Sequence, residues 1–321
     1  MKAIIQKEFG DANVLTYADI EQPKIGDGEC LIKVSYTSVN YADIKKRIGN
    51  KGQGNFPLIL GLDTAGTIVE TAPDSKFSIG DRVIAFPKGG SYAEYVRANE
   101  KLVFKIPDTL SFEQAAAMPT VSILSYMLLH EIGQVKMTDT IVIHSAAGGV
   151  GSMLIQLAKL AGVERIIGTV GNIEKASYVK KLGANIVCTY ETFTEEVLNV
   201  TNNQGANIIF DSVAGDVTSK SLDCLAFYGT LVQFGNSSGK AGQLKTSDVH
   251  SSCRNIKGFS LGTTRAHDPL RLAPVAEKVI ELFNTKQLSL PIAQIFNLKD
   301  AAAAHQLIES RNYEGKVLLK V

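Results

Sequence analysis

Ser145-Ala146-Ala147-Gly148-Gly149-Val150-Gly151 lies between the apolar run Thr140-Ile141-Val142-Ile143-His144 and the helix-like stretch Ser152 to Lys159. A strand, a turn of small residues and a helix in that order make a phosphate-binding corner. The backbone can turn sharply and approach a pyrophosphate, while the first N–H groups of the helix carry partial positive charge toward it. A glycine cluster alone is a weak signal, and the flanking strand and helix give this one its meaning. The expected ligand is a dinucleotide.

The end of the next strand, Arg165 to Val170, sorts the two common forms of such a ligand. Sites for an unphosphorylated ribose place Asp or Glu there, about twenty residues after the glycines. This chain has Gly171, followed by Asn172-Ile173-Glu174-Lys175. With no carboxylate at the strand end and Lys175 close behind, a 2′-phosphate can be accommodated. Glu174 reads either as a solvated first-turn acid or as a ribose contact, and Lys175 has an ordinary surface lysine as its alternative. Further on, Asp211-Ser212-Val213-Ala214-Gly215 and Phe234-Gly235-Asn236-Ser237 close two later strands. Ligands lie at the carboxyl ends of parallel strands, so Ser212, Val213, Phe234 and Gly235 are cofactor candidates. Phe234, with apolar flanks, reads equally well as core.

The elements that must position these residues alternate. Strands are expected at 140–145, 165–170, 186–190, 207–213, 229–235 and 256–261, with helical patterns at 175–182, 193–200 and 219–227 between them. Alternation at this spacing predicts a parallel, doubly wound sheet with right-handed crossovers. Residues 1–112 read instead as short strands broken by Gly and Pro, a small barrel or sandwich. At Ser111-Phe112-Glu113-Gln114 an N-cap with Gln three positions on marks a helix start. In the tail, Asp268-Pro269 opens a helix to about Phe283. An extended run from Pro291 to Phe296, a helix from Ala301 to Ser310 and a last strand from Lys316 to Val321 complete it. The expected organisation is 1–112 and 263–321 in one lobe and 113–262 in the other.

A chain of 321 residues can form two cores, and 33 basic against 32 acidic residues leave a net charge of +1 with no basic block that would track a nucleic acid. No apolar stretch reaches the ~18 residues of a membrane span, and the N-terminus runs straight into an amphipathic strand. A soluble cytoplasmic protein is expected. The four cysteines, Cys30, Cys188, Cys224 and Cys253, are far apart, read as buried thiols rather than disulfides, and form no C-x-x-C pair.

The sequence resembles the medium-chain dehydrogenase/reductase superfamily, in its zinc-independent quinone oxidoreductase (zeta-crystallin-like) branch. The resemblance rests on Ser38-Val39-Asn40-Tyr41-Ala42-Asp43, Gly61-Leu62-Asp63-Thr64-Ala65-Gly66, Gly80-Asp81-Arg82-Val83, Gly90-Ser91-Tyr92-Ala93-Glu94-Tyr95, the glycine corner and Phe234-Gly235-Asn236-Ser237-Ser238-Gly239, in the family's order. It implies an α/β chain whose six-stranded Rossmann domain is inserted in a GroES-like, mainly β catalytic domain. A cleft between the domains would hold NADPH and a small quinone or enone, and the protein would be a homodimer or homotetramer.

The resemblance also implies site residues. Zinc members place Cys within the stretch that here reads Ser38-Val39-Asn40, and His-Glu where this chain has Leu62-Asp63. A catalytic zinc needs about three good ligands, so no metal is expected. Without that Lewis acid, hydride donation to an electron-poor quinone or enone remains easy while simple alcohol oxidation does not. Asn40 would be the catalytic cleft residue, a neutral donor to the product oxyanion; its alternative is a turn residue after a strand. Tyr41 and Tyr92 would be cleft walls or ordinary packing. Some close members place Tyr five residues after the Asn, where this chain has Lys45, so a phenol donor is not carried over. Around the cofactor the resemblance implies Thr120, Ala147, Gly148, Gly149, Val150, Gly151, Thr169, Gly171, Lys175, Tyr190, Ser212, Val213, Phe234, Gly235, Ser237 and Arg311. For Arg311 a dipole-favouring helix end is an equal account. The competing function is a same-fold protein kept for cofactor binding, a structural role or RNA.

Overall fold

The computed structural model describes residues 1–50 and 54–321. Two compact units emerge, residues 1–123 with 264–321, and residues 124–263.

The first segment supplies β1 (Lys2–Gln6), β2 (Thr16–Asp19), β3 (Glu29–Val39), α1 (Tyr41–Arg47), β4 (Leu58–Ile59), β5 (Thr64–Thr71), β6 (Arg82–Ala85), β7 (Tyr95–Asn99), β8 (Val103–Lys105), α2 (Phe112–Ala117) and α3 (Pro119–Tyr126). β3 is the long central strand, bordered by β5 and β7, and most of its side chains are buried. Ser111 accepts from the Gln114 N–H as the sequence pattern predicts. The helix it starts, however, packs on β3 and β5, so helical texture begins before the unit ends and the division falls at 123/124 rather than at 112/113.

The second unit contains β9 (Thr140–Ile143), α4 (Gly149–Leu160), β10 (Arg165–Val170), α5 (Ala176–Leu182), β11 (Ile186–Thr189), α6 (Phe193–Val200), β12 (Ala206–Asp211), α7 (Asp216–Asp223), β13 (Leu225–Gln233), α8 (Thr246–His250) and β14 (Asn255–Gly258). Its sheet is six-stranded and parallel, in the order β11-β10-β9-β12-β13-β14. The strand order reverses at β9, which makes its carboxyl edge the topological switch point. One expected helix is displaced. The pattern at 219–227 is α7, ending at Asp223, followed by the start of β13. A register shift against β12 places Phe227 and Tyr228 in a bulge, 72% and 75% exposed with Tyr228 at φ 61°, and their apolar character there mimics a helical face.

The chain then returns through α9 (Leu261–His267), α10 (Leu272–Asn284), β15 (Ile292–Asn297), α11 (Ala301–Ser310) and β16 (Lys316–Lys320). β16 pairs antiparallel with β3, with Val317 opposite Val39, and so joins the first unit's seven-stranded sheet. Leu298, Ala301, Ala304 and Ile308 pack with Ile4, Val39 and Leu60 in one of that unit's cores. This packing makes the tail a part of the first unit.

Candidate functional site

In the second unit, β9 ends at Ile143 and Ser145 turns the chain at φ 54°. Gly148 occupies the N-cap of α4 with extended backbone and no side chain to satisfy the helix's first N–H groups. A Cβ on Gly151 would lie 2.7 Å from the Ala146 Cα and collide with the Ser145 carbonyl oxygen. The third glycine of the corner is therefore required for the helix to approach the strand, while Gly148 leaves its mouth open to an anion.

A line of hydroxyls crosses the carboxyl edge of this sheet. The Tyr190 Oη accepts from the Ser145 N–H at 2.9 Å and lies 3.2 Å from its Oγ, and Ser212 donates to the Ser145 Oγ at 3.1 Å. Tyr190 also borders Gly171, where an added Cβ would meet nothing closer than its ring at 4.0 Å. The end of β10 is thus open, and the half-buried Lys175 stands one short turn beyond it. The Asn172 amide binds the Glu174 carboxylate at 2.9 Å, which accords with its reading as an exposed first-turn acid. After β12 the buried Asp211 carboxylate accepts from the N–H groups of Val213 and Ala214 and from the Thr218 hydroxyl. It fixes the turn that presents Ser212 and Val213. Gly235 comes so close to Ser212 that a Cβ would stand 2.9 Å from its carbonyl oxygen, and Ser237 donates its N–H to that oxygen.

Thr169 requires a correction. Fully buried, its Oγ1 lies 2.8 Å from His144 Nδ1, while His144 Nε2 lies 2.8 Å from Ser221 Oγ. Ser221 gives its own hydrogen to the Val217 carbonyl, so His144 must donate from Nε2 and accept from Thr169. The Thr169 hydroxyl is consumed in the core and offers nothing to a ligand. Burial pushes His144 down to about 4, so it stays neutral.

The first unit holds a second polar cluster, at the junction of β3 and α1. Asn40 is the N-cap of α1, yet its side chain does not cap the helix. It accepts from the Lys316 ammonium at 2.8 Å and donates to Ser38 Oγ at 3.0 Å and to Asp63 Oδ1 at 3.3 Å. Asp63 also takes the Ser38 hydroxyl at 2.6 Å and, through Oδ2, the Thr120 N–H at 3.0 Å. Beside it, Asp43 accepts the N–H groups of Asn40 and Gly61. Burial pushes the Asp43 carboxyl up to about 7, opposed by the Asn40 N–H and reinforced by the charge of Asp63. Lys316, 4% exposed, is pushed down by burial and held up by the two carboxylates. The Thr120 Oγ1 is buried with no hydrogen-bond partner, an orphan polar atom next to this cluster that a bound group would satisfy.

One expectation changes here. Tyr92 is fully buried, its hydroxyl 3.1 Å from His305 Nε2 and 3.4 Å from Asp43, so it braces α1 rather than walling a cleft. The Asn40 Nδ2 faces Ser38 Oγ and Asp63 Oδ1, which lie only 2.6 Å apart and so share one amide hydrogen, leaving the second amide hydrogen as a donor. Tyr41, in contrast, is 39% exposed at the start of α1. Arg311 ends α11 in the left-handed region, as a helix-terminal residue.

Family models match both units: an alcohol dehydrogenase GroES-like domain over residues 26–108 and a zinc-binding dehydrogenase domain over residues 149–278. A Pseudomonas aeruginosa quinone oxidoreductase is 34% identical, with 97% of each chain covered. The chain belongs to the medium-chain dehydrogenase/reductase superfamily, quinone oxidoreductase branch. A 2-haloacrylate reductase from a Burkholderia species is 30% identical over 99% of this chain and 98% of its own. The Escherichia coli quinone oxidoreductase, solved with NADPH, superposes with a TM-score of 0.94 at 28% identity, each chain covered completely. The chain has Ser38-Val39-Asn40 and Leu62-Asp63 where the resemblance implies the Cys and His-Glu of zinc members. Among the described residues no group of three or more His, Cys, Asp or Glu is arranged to hold a metal ion.

The sequence did not reveal the buried contacts of Lys316 or of Asp63. Lys316 lies 276 residues from Asn40, and its place follows only from β16 pairing with β3. A lysine opening a short apolar strand, Lys316-Val317-Leu318-Leu319, was the available signal.

Proposed function

We propose that this enzyme is an NADPH-dependent, zinc-independent reductase of quinones or α,β-unsaturated carbonyl compounds. The observation that carries this reading is the Asn40 side chain, held between Lys316 and Asp63 in a buried cluster, with no group of three or more His, Cys, Asp or Glu arranged to hold a metal ion among the described residues. NADPH supplies a hydride when bound. The glycine corner receives its pyrophosphate, the open end of β10 with Lys175 and Tyr190 its 2′-phosphate, and Ser212, Val213 and Gly235 the nicotinamide half. Asn40 offers its remaining amide hydrogen to an oxygen of the acceptor, holding the product oxyanion as a neutral donor. The acceptor must already be electron-poor, because no side chain of the cluster is a Lewis acid, and solvent provides the final proton. The likeness to a 2-haloacrylate reductase supports conjugated alkenes beside quinones as acceptors. A homodimer or homotetramer in the cytoplasm accords with this reading, and no helix among the described residues is long and apolar enough to cross a membrane.

The test is NADPH oxidation by the purified protein across quinones, enals, enones, haloacrylates and simple secondary alcohols run in reverse. Turnover confined to the electron-poor acceptors is expected. Efficient alcohol oxidation, or no turnover with any acceptor, refutes the proposal.

A further inference from the structure

We propose that Lys316 is a positioning residue of the reductase site: with Asp63 it locks the Asn40 carboxamide in one orientation across the junction of β16 and β3. The inference rests on the reading of Asn40 as a residue that touches cofactor or acceptor.

A carboxamide has two hydrogens and two carbonyl lone pairs. The Nδ2 end of Asn40 faces two oxygens 2.6 Å apart, Ser38 Oγ and Asp63 Oδ1, and its carbonyl oxygen receives the Lys316 ammonium. The assignment of oxygen and nitrogen is dictated by the neighbours, since an ammonium cannot accept and a carboxylate cannot donate. Exchanging the two ends would set donor against donor at Lys316 and acceptor against acceptor at Asp63. Opposite charges on opposite sides of one amide therefore make its orientation a two-sided lock, and charge-assisted bonds of this kind are about twice as strong as neutral ones.

The lock is supported from the backbone. Val317 is opposite Val39 in the β16–β3 ladder, so Lys316 emerges beside Asn40, and its ammonium also lies 3.4 Å from the Val39 carbonyl. Asn40's own backbone is fixed by its N–H to Asp43, whose carboxylate is bound in turn by Gly61. The usual N-cap bond from side chain to helix has been given up, and the Lys316 and Asp63 contacts take its place. What remains to Asn40 is one amide hydrogen and one carbonyl lone pair, both fixed in direction by the Lys316 and Asp63 contacts.

The experiment compares wild type, Lys316→Met, Asn40→Ala and the double variant, with NADPH and the best acceptor from the screen, reading kcat, acceptor KM and melting temperature. Loss of orientation at a reacting site costs on the order of 10- to 100-fold in rate. Lys316→Met is expected to lose about that much in kcat with KM little changed, and the double variant to be no slower than Asn40→Ala, because Lys316 acts through Asn40. Losses that multiply in the double variant would show that Lys316 acts elsewhere and would overturn the proposal. Wild-type kcat in Lys316→Met beside an impaired Asn40→Ala overturns this inference and leaves the proposed reaction standing, whereas wild-type kcat in Asn40→Ala removes the reading of the site and this inference with it. Should Lys316→Met fail to fold, the Asn40 side-chain amide resonances of the wild-type protein, assigned by their loss in Asn40→Ala, carry the test. A slowly exchanging amide hydrogen is expected, and exchange of both at the rate of a free amide overturns the lock.

Discussion

At the scale of single residues, the proposed function makes cofactor choice depend on Lys175 and on what is missing at Gly171. A charge-assisted hydrogen bond contributes about 1.5–3 kcal/mol, so Lys175→Ala should weaken NADPH binding roughly 10- to 150-fold and leave NADH nearly unchanged, as read by fluorescence titration of each cofactor. Equal losses for both would mean that Lys175 does not contact the phosphate. The converse substitution is Gly171→Asp. An added side chain there meets only the Tyr190 ring edge, at 4.0 Å, so the carboxylate can be placed at the end of β10 without disturbing the sheet. It should repel the 2′-phosphate and accept the ribose hydroxyls, moving the NADPH-to-NADH preference toward NADH by at least about tenfold. An unchanged ratio would place the ribose elsewhere. These positions were legible in the sequence because strand end, glycine and lysine are neighbours in the chain. Lys316 was not, because its partner is supplied by strand pairing over 276 residues.

At the scale of elements, the close contact between α4 and the Ser145–Ala146 turn predicts a different outcome from substitution. Gly151→Val puts a Cβ 2.7 Å from the Ala146 Cα, backbone that cannot yield as a flexible side chain would. The helix must move off the strand, so affinity for NADPH and NADH should fall together and the melting temperature should drop. A variant that lost only NADPH would contradict this account of the corner. The alternation of strand and helix was readable from 140 onward since each parallel strand is a short apolar run between turns, and all six strands lie within a few residues of their expected places. The start of β13 was not. Leu225 to Tyr228 enter the sheet through a bulge that exposes Phe227 and Tyr228, and neither a period of two nor the turn residues that mark strand starts announce it. The same limit applies to Thr169 and Tyr92, whose hydroxyls looked available from sequence position alone. Whether such a group faces a ligand or the core depends on partners such as His144 and His305, each brought from another element.

At the scale of the whole molecule, the buried titratable groups predict how stability responds to pH. His305 is pushed down to about 3, by burial first and by the Arg47 guanidinium second, and His144 to about 4 by burial. Arg47 can only donate, so His305 accepts at Nδ1, at 3.2 Å, and donates from Nε2 to Tyr92; Arg47 is completed by its 2.6 Å ion pair with Glu309. Both histidines stay neutral in the folded chain and take up protons near pH 6.5 on unfolding, so their contribution is present above that pH and is lost as pH falls toward the folded values. Asp43 has the opposite sign. With its carboxyl raised from 3.8 to about 7, the folded state holds a proton that the unfolded state has released, and stability from this group is greatest at low pH and declines as pH rises through 7. Two histidines against one carboxyl leave a net loss on acidification between about pH 6 and pH 4, near 1.4 kcal/mol for each pH unit from these groups. Replacing His305 by Gln, which can bond to both Arg47 and Tyr92 without titrating, should lower the slope of stability against pH by about that same 1.4 kcal/mol per unit across this window. Denaturant unfolding of wild type and His305→Gln at intervals from pH 7 to pH 4 measures the difference directly, with the remaining carboxylates common to both proteins. Parallel curves would show that His305 takes no proton on unfolding, and with that the hydrogen-bonded chain from Asp43 through Tyr92 and His305 to Arg47 would lose its assigned proton positions.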